Sequence, residues 1–126
     1  MKSYAEIRGH AQDFDVHYRL YSKDEGGQEK VFQHIRCDFA YAEDNIEETG
    51  IYMIHPEFLN SNHEPIQEGI SVPIEGEASM WIVVPEMRDE VHREKLQIGT
   101  KGYFMCGSRK LGEVTVTKIV GLHENA

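Results

Sequence analysis

Seven histidines and two cysteines are the side chains with which this chain could hold a metal or begin nucleophilic chemistry. His10, His17, His34, His55, His63, His92 and His123 are scattered, and none stands in an HExxH pair or at short spacing from a cysteine, the arrangements that bind zinc. His55 and His63, either side of Pro56-Glu57, come nearest to a pair. Cys37 and Cys106 form no CxxC, and two such thiols in a reducing compartment read as small buried hydrophobes. There is no GxSxG elbow, no phosphate-binding loop ending in Gly-Lys-Ser/Thr and no GxGxxG turn. Gly107-Ser108-Arg109-Lys110-Leu111-Gly112 imitates a phosphate cradle, but it lies between two strand candidates with no helix after it to aim N–H groups at an anion, so it reads as a hairpin turn. Carboxylates are plentiful, and no spacing separates an acid/base pair from surface Glu and Asp. The reading is therefore a non-enzymatic chain without metal or cofactor.

The elements that would carry these residues are mostly strands. Phe14, Val16, Tyr18 and Leu20 alternate with Asp15, His17, Arg19 and Tyr21, the period of a strand with one buried face. The run stops at Asp24-Glu25-Gly26-Gly27, where two glycines can supply the positive φ of a tight turn. Further strands are expected over residues 31–39, 50–54, 79–84, 102–106 and 113–120, a spacing that suits a barrel or sandwich. Met80-Trp81-Ile82-Val83-Val84 is apolar at every position, as a strand covered on both faces must be. Residues 56–59 suggest a single helical turn, and 86–96 a short helix or an excursion loop. No linker or repeat divides the chain, so 1–126 reads as one domain with a core over about 13–120 and looser ends at 1–12 and 123–126.

Thirteen basic against twenty-two acidic residues give a net charge of −9, a field that repels phosphate backbones and anionic membranes. Nucleic acid is therefore disfavoured as a partner. The apolar run at 80–84 is far short of the roughly 20 residues of a membrane-spanning helix, and the first residues have no signal-peptide pattern, so the expected location is the cytoplasm with no membrane partner.

Three stretches taken together resemble the C-terminal β-barrel domain of translation elongation factor Tu: Leu20 to Gly27; Phe39-Ala40-Tyr41 leading to Thr49-Gly50; and Ile98-Gly99 through Phe104 to the Ser108-to-Ile119 hairpin strand. In that family a strand ends in an acidic residue and Gly-Gly, an aromatic strand precedes a Thr-Gly turn, and the last hairpin turns at Arg-x-hydrophobic-Gly into a Val-Thr-Lys-Ile/Val strand. The resemblance implies an all-β fold, a small closed antiparallel barrel of about six strands. Here it would carry two inserted loops or short helices, at residues 54–60 and 85–94. The residues agree with this: a last strand with Val114, Val116 and Lys118 on one face and Thr115, Thr117 and Ile119 on the other suits closure of a small antiparallel barrel, which removes open edges.

The family's barrel contacts the T-stem of aminoacyl-tRNA, its own GTPase domain and an exchange factor. The tRNA-touching loop corresponds to residues 106–109. Gly107 and Arg109 are kept there, but Cys106 replaces an acidic residue, and Ala42 followed by Glu43-Asp44 replaces an arginine after the aromatic strand. Gly107, Arg109 and Lys110 are accordingly the candidate nucleic-acid contacts, weakened by the acid beside them.

The leading expectation is a stand-alone bacterial binding module acting by protein–protein contact. Its candidate interface is Phe58, Leu59, Trp81, Met87, Arg88, Val91 and His92, set against the alternative that these side chains simply plug the barrel ends. The partner is unnamed by the sequence, and a homodimer, or an acidic immunity-type protein neutralising a basic toxin, are versions of the same reading. An RNA-binding, translation-related module using Arg88, Arg93, Lys95, Lys101, Arg109, Lys110 and Lys118 is the alternative. A ligand site at a barrel mouth, built from His17, His55, His92, Arg88 and Glu57, is the least favoured.

Overall fold

The structure is a computed structural model and describes residues 2–126. Six strands form one antiparallel sheet: β1 (Phe14–Leu20), β2 (Asp38–Tyr41), β3 (Ile54–Leu59), β4 (Glu75–Ile82), β5 (Lys101–Cys106) and β6 (Arg109–Ile119), in the order β2-β5-β6-β1-β4-β3. Three short helices are added, α1 (Tyr4–Arg8), α2 (Ile46–Thr49) and α3 (Arg93–Lys95), the last continuing a π-helical turn at Arg88–His92. No helix among the described residues is long and apolar enough to cross a membrane.

β1 follows its alternation, with Phe14, Val16, Tyr18 and Leu20 buried and the residues between them partly exposed. It lies in the interior of the sheet, pairing with β4 on one side and β6 on the other. Between β5 and β6 the chain reverses through Gly107-Ser108 alone, with Cys106 opposite Arg109. Gly107 has φ 60° while Ser108 stays at negative φ, the requirement of a type II′ hairpin.

The sheet curls without closing. Bulges opposite Asp15/Val16 and at Phe104/Met105 bend it, and the two end strands approach until Phe39 and Tyr52 exchange N–H···O bonds of 2.8 Å in both directions. That is one rung, and the expected closed barrel is an open half-barrel. β2 has only four residues, and the next twelve run through an acidic loop and α2 before β3 begins. The outer edge of β3 is met instead by other chain: Ile66 N–H donates to Phe58 O, and the Gln33 amide accepts from Phe58 N–H (2.7 Å) while donating to Phe58 O (2.8 Å). A side chain thus takes the place of the neighbouring strand and blunts the edge.

Several expectations are corrected. β6 does not close anything; it lies mid-sheet between β5 and β1. The bulge opposite Asp15/Val16 shifts its alternation, leaving Lys118 exposed and bringing Ile119 opposite Phe14 against the core. Residues 56–59 are strand, because Ile54 and Phe58 fill the core from one face while β3 pairs along β4. This segment is therefore a member of the sheet and no insertion. Of the 31–39 candidate only Asp38 and Phe39 join the sheet, in a strand that runs on to Tyr41, and residues 50–53 contribute only the single Tyr52 bridge. At 86–96 the chain is helical, and at the amino end Tyr4–Arg8 forms a capped helix.

Inside the curl, Tyr18, Phe58 and Phe104 form an aromatic cluster, with ring centroids 5.0 Å apart for Tyr18–Phe58 and 5.9 Å for Phe58–Phe104. Phe14 packs edge-on to Phe39 at 6.2 Å. Of the Gly26-Gly27 pair only Gly26 needs positive φ (96°); Gly27 is required by closeness, since a Cβ there would lie 2.2 Å from Tyr21 O. The same holds for Gly102, where a Cβ would meet the Phe39 ring at 2.5 Å and Ala40 O at 2.7 Å. Gly102→Ala is expected to force β2 off β5 and to destabilise the fold by about 1–3 kcal/mol, read as a lower urea midpoint. An unchanged midpoint would refute this account of how β2 packs.

Candidate binding surfaces

Two buried polar clusters hold Arg88 and His92, two of the residues singled out in the sequence. In the first, Asp13, fully buried, accepts from Arg88 Nε (2.8 Å) and Nη2 (3.2 Å), from Ile82 N–H (2.8 Å) and from Asn125 Nδ2 (2.9 Å). Arg88, 2% exposed, spends its remaining donors on Ile82 O and Ala126 O. In the second, Tyr41 Oη and His92 Nδ1 lie 2.6 Å apart. Burial raises the Tyr41 pKa and pushes that of His92 down to about 4. The phenol therefore donates, the neutral imidazole accepts at Nδ1, and the ring proton resides on Nε2. Arg88 and His92, four apart in the π-helical turn, enter separate buried clusters, which accounts for a turn of unusual pitch there.

The expected interface is thus largely interior. Phe58, Trp81, Arg88 and His92 are all buried, while Leu59, Met87 and Val91 are half-buried. Phe58, Arg88 and His92 are inaccessible because β3 and the π-helical turn point them inward, and Trp81, on the outer face of β4, is covered by Tyr4 of the amino-terminal helix. The residues of the expected ligand site do not converge either. His17, His55 and Glu57 all lie on the outer face of the sheet, but His17 is at the surface between Glu75 (2.8 Å) and Glu77 (3.3 Å), and Arg88 and His92 are sealed in the two buried clusters. Gly107, Arg109 and Lys110 are exposed at the β5–β6 hairpin tip, with Lys110 Nζ 4.0 Å from the Tyr103 ring centroid. Beside the aromatic strand, Asp44 is ion-paired with Lys95, which also lies 3.9 Å from Glu43. Cys37 is buried as expected; Cys106 is exposed, since the hairpin tip carries it clear of the sheet.

Two concave surfaces were not foreseen. One lies where α1 covers the outer face of β3 and β4. Ser3 caps α1 by accepting from Glu6 N–H, and Gly9 ends it at φ 75°. Tyr4 then anchors the helix: its N–H donates to the buried Glu57 carboxylate (2.9 Å), and its ring stacks on His34 at 4.4 Å and edge-on to Trp81 at 5.6 Å. His34 Nε2 and Nδ1 each contact a carboxylate oxygen at 2.7 Å, of Glu57 and Glu68 respectively. Beside this layer opens a pocket of about 580 Å³ lined by Arg8, Arg36, His55, Ile7, Met53 and Asp38, among others. Burial first, then the Arg8 charge, lower the His55 pKa, so this ring is neutral at pH 7.

The other surface is a groove of about 640 Å³ between residues 19–31 and 71–74. Its floor includes Leu20, Val31 and Val72. The ribbon made by residues 31–33 and 70–74, held by Val72 N–H to Val31 O (2.8 Å), turns Val31 and Val72 inward and leaves Phe32 (43%), Ile70 (52%) and Ile74 (71%) exposed.

The buried clusters have measurable consequences. Arg88→Met leaves the Asp13 carboxylate buried without its counter-ion and is expected to cost about 3–5 kcal/mol in urea unfolding; a loss below 1 kcal/mol would show that Asp13 is not the fixed charge described. Because the folded chain holds His92 neutral, its contribution to stability is full above about pH 6.5 and fades as pH falls towards 4. The urea midpoint of the native chain should fall across that window, by up to about 3 kcal/mol from this group, and His92→Gln should flatten the fall. Equal slopes in the two chains would assign the pH dependence elsewhere. Compared with known proteins, the chain matches no family model and no curated protein.

Proposed function

We propose that this chain is a non-enzymatic binding module acting by protein–protein contact, with the groove between residues 19–31 and 71–74 as its docking face. The observation that carries the proposal is the exposure of Phe32, Ile70 and Ile74 on one ribbon beside a concave, apolar-floored groove. Grouped large apolar side chains at a surface depression are the usual centre of an interface, and burying each is worth about 1.5–3 kcal/mol. The groove's own charged lining is of mixed sign, Arg19, Lys23 and Lys30 with Glu25 and Glu29, on a body of charge −9. A partner with an apolar knob and a net positive charge complements this groove on its acidic body. The likeness to the elongation factor Tu C-terminal barrel, and with it a bacterial cytoplasmic setting, belongs to the same proposal; its support is the order of the Gly26-Gly27 turn, the aromatic strand β2 and the Gly107 hairpin along the chain.

The test compares proteins retained from the source cell by the native chain and by a Phe32→Glu/Ile74→Glu variant, with and without nuclease. The expected result is a discrete protein, rich in Lys and Arg, held by the native chain, lost by the variant and indifferent to nuclease. Identical retention by both chains would reject the groove. Retention abolished by nuclease, and by Arg109→Glu/Lys110→Glu, would replace the proposal with the RNA reading.

A further inference from the structure

We propose that the pocket beneath α1 is a binding site for an amphipathic organic anion, with Arg8 and Arg36 holding a carboxylate or phosphate head and Ile7, Met53 and Val83 taking an aliphatic tail. The site is separate from the groove and does not depend on it.

The arginines carry the argument. Of the six in the chain, Arg19, Arg88 and Arg93 are bonded to carboxylates. Among the described residues, Arg8 and Arg36 have no hydrogen-bonded ion pair, and both line this pocket. Arg109, at the hairpin tip, is the remaining one. What sets Arg8 and Arg36 apart from Arg109 is that they line one cavity together. Arg8 Nε is moreover buried and has no acceptor among the described residues, and Trp81 Nε1, beneath Tyr4, is in the same condition. A buried donor without an acceptor is expensive to keep, and a guanidinium can only donate.

The rest of the lining sets the character of the ligand. Asp38 and Glu68 also face the cavity, so its field is not uniformly positive. Glu68 is engaged by His34, however, which leaves the two arginines facing one unengaged line of negative charge at Asp38. His55, buried and neutral, supplies a hydrogen-bonding edge without adding charge. Ile7 is 59% and Met53 50% exposed, a degree of exposure that an aliphatic tail would relieve. The volume of about 580 Å³ falls within the span of roughly 300–1,000 Å³ usual for small-molecule sites.

Trp81 is the chain's one tryptophan and touches the Tyr4 ring that lines the pocket, so its emission reports on occupancy. The probes are hexanoate and hexyl phosphate, with hexanol and inorganic phosphate as controls for tail and head alone, titrated by calorimetry and by Trp81 emission. Saturable binding of one or both amphiphiles is expected, at least about tenfold tighter than either control, and about tenfold weaker in Arg36→Gln and in Arg8→Gln. Arg36 is exposed, so its substitution leaves the fold intact, and Arg109→Gln should bind as the native chain does. The stronger of the two amphiphiles identifies the head group. The proposal fails if neither amphiphile binds at millimolar concentration, if hexanol binds as well as hexanoate and hexyl phosphate, or if Arg36→Gln binds like the native chain.

Discussion

The buried Asp13–Arg88 pair is the constraint on which the rest of the structure depends. Asp13 precedes β1 by one residue and takes part through backbone and side chain together. Its N–H donates to Met80 O (2.9 Å), its carbonyl accepts from Val120 and Leu122 N–H (3.1 Å each), and its carboxylate takes Arg88, Ile82 and Asn125. The start of β1, the end of β4, the π-helical turn and the closing turn after β6 are thereby referred to a single side chain. Desolvating two ions is unfavourable, and a buried pair of this kind is a poor source of net stability. Its effect is geometric: only one arrangement of four chain segments satisfies every donor and acceptor, so register errors at this end of the sheet leave a charge buried and unpaired.

A second polar layer performs a related task on the opposite side of β3 and β4. Strands of an open antiparallel sheet usually present one wet face, yet here His55, Glu57, Ser79 and Trp81 on the outer face are also buried, though not as completely as Ile54, Phe58 and Met80 within. The cover is α1, five residues long and too short to persist alone. Tyr4 makes it possible by giving its N–H to Glu57 and its ring to His34 and Trp81. The cavity of Arg8 and Arg36 is a by-product of that cover: the helix spans the layer but does not fill the space beside it.

The edges are handled with equal economy. The two end strands meet in one Phe39–Tyr52 rung, and Gln33 and Pro56 account for the exposed side of β3, the first by side-chain bonds and the second by having no N–H to present. Among the described residues, the large apolar side chains that remain outward-facing are those of the ribbon (Phe32, Ile70 and Ile74), the rim of the α1 pocket, Val84 and Ile98.

Short-range pattern determined much of this. The alternation of β1 and the Gly107 turn could be read directly from residue order, because each rests on a period of two or on one dihedral angle, and the two-faced burial expected of Met80 to Val84 holds as far as Ile82, where β4 ends and beyond which Val84 is exposed. The candidate sites could not. Arg8, His34, Arg36, Phe32 and Ile74 lie in segments with weak periodicity, and nothing in their order shows that a five-residue helix covers one pocket or that residues 31–33 pair with 70–74. Arg88 and His92 offered the opposite difficulty, as polar side chains that sequence reading places at the surface and the fold buries. Open or closed was likewise a tertiary decision, made by a four-residue β2 and by bulges whose position depends on both strands of a pair. Sequence by itself determined which residues form strands and where the chain turns; only the packing of distant segments decided which polar groups are sealed together and which surfaces are left to bind, since burial and pairing are properties of neighbours in space.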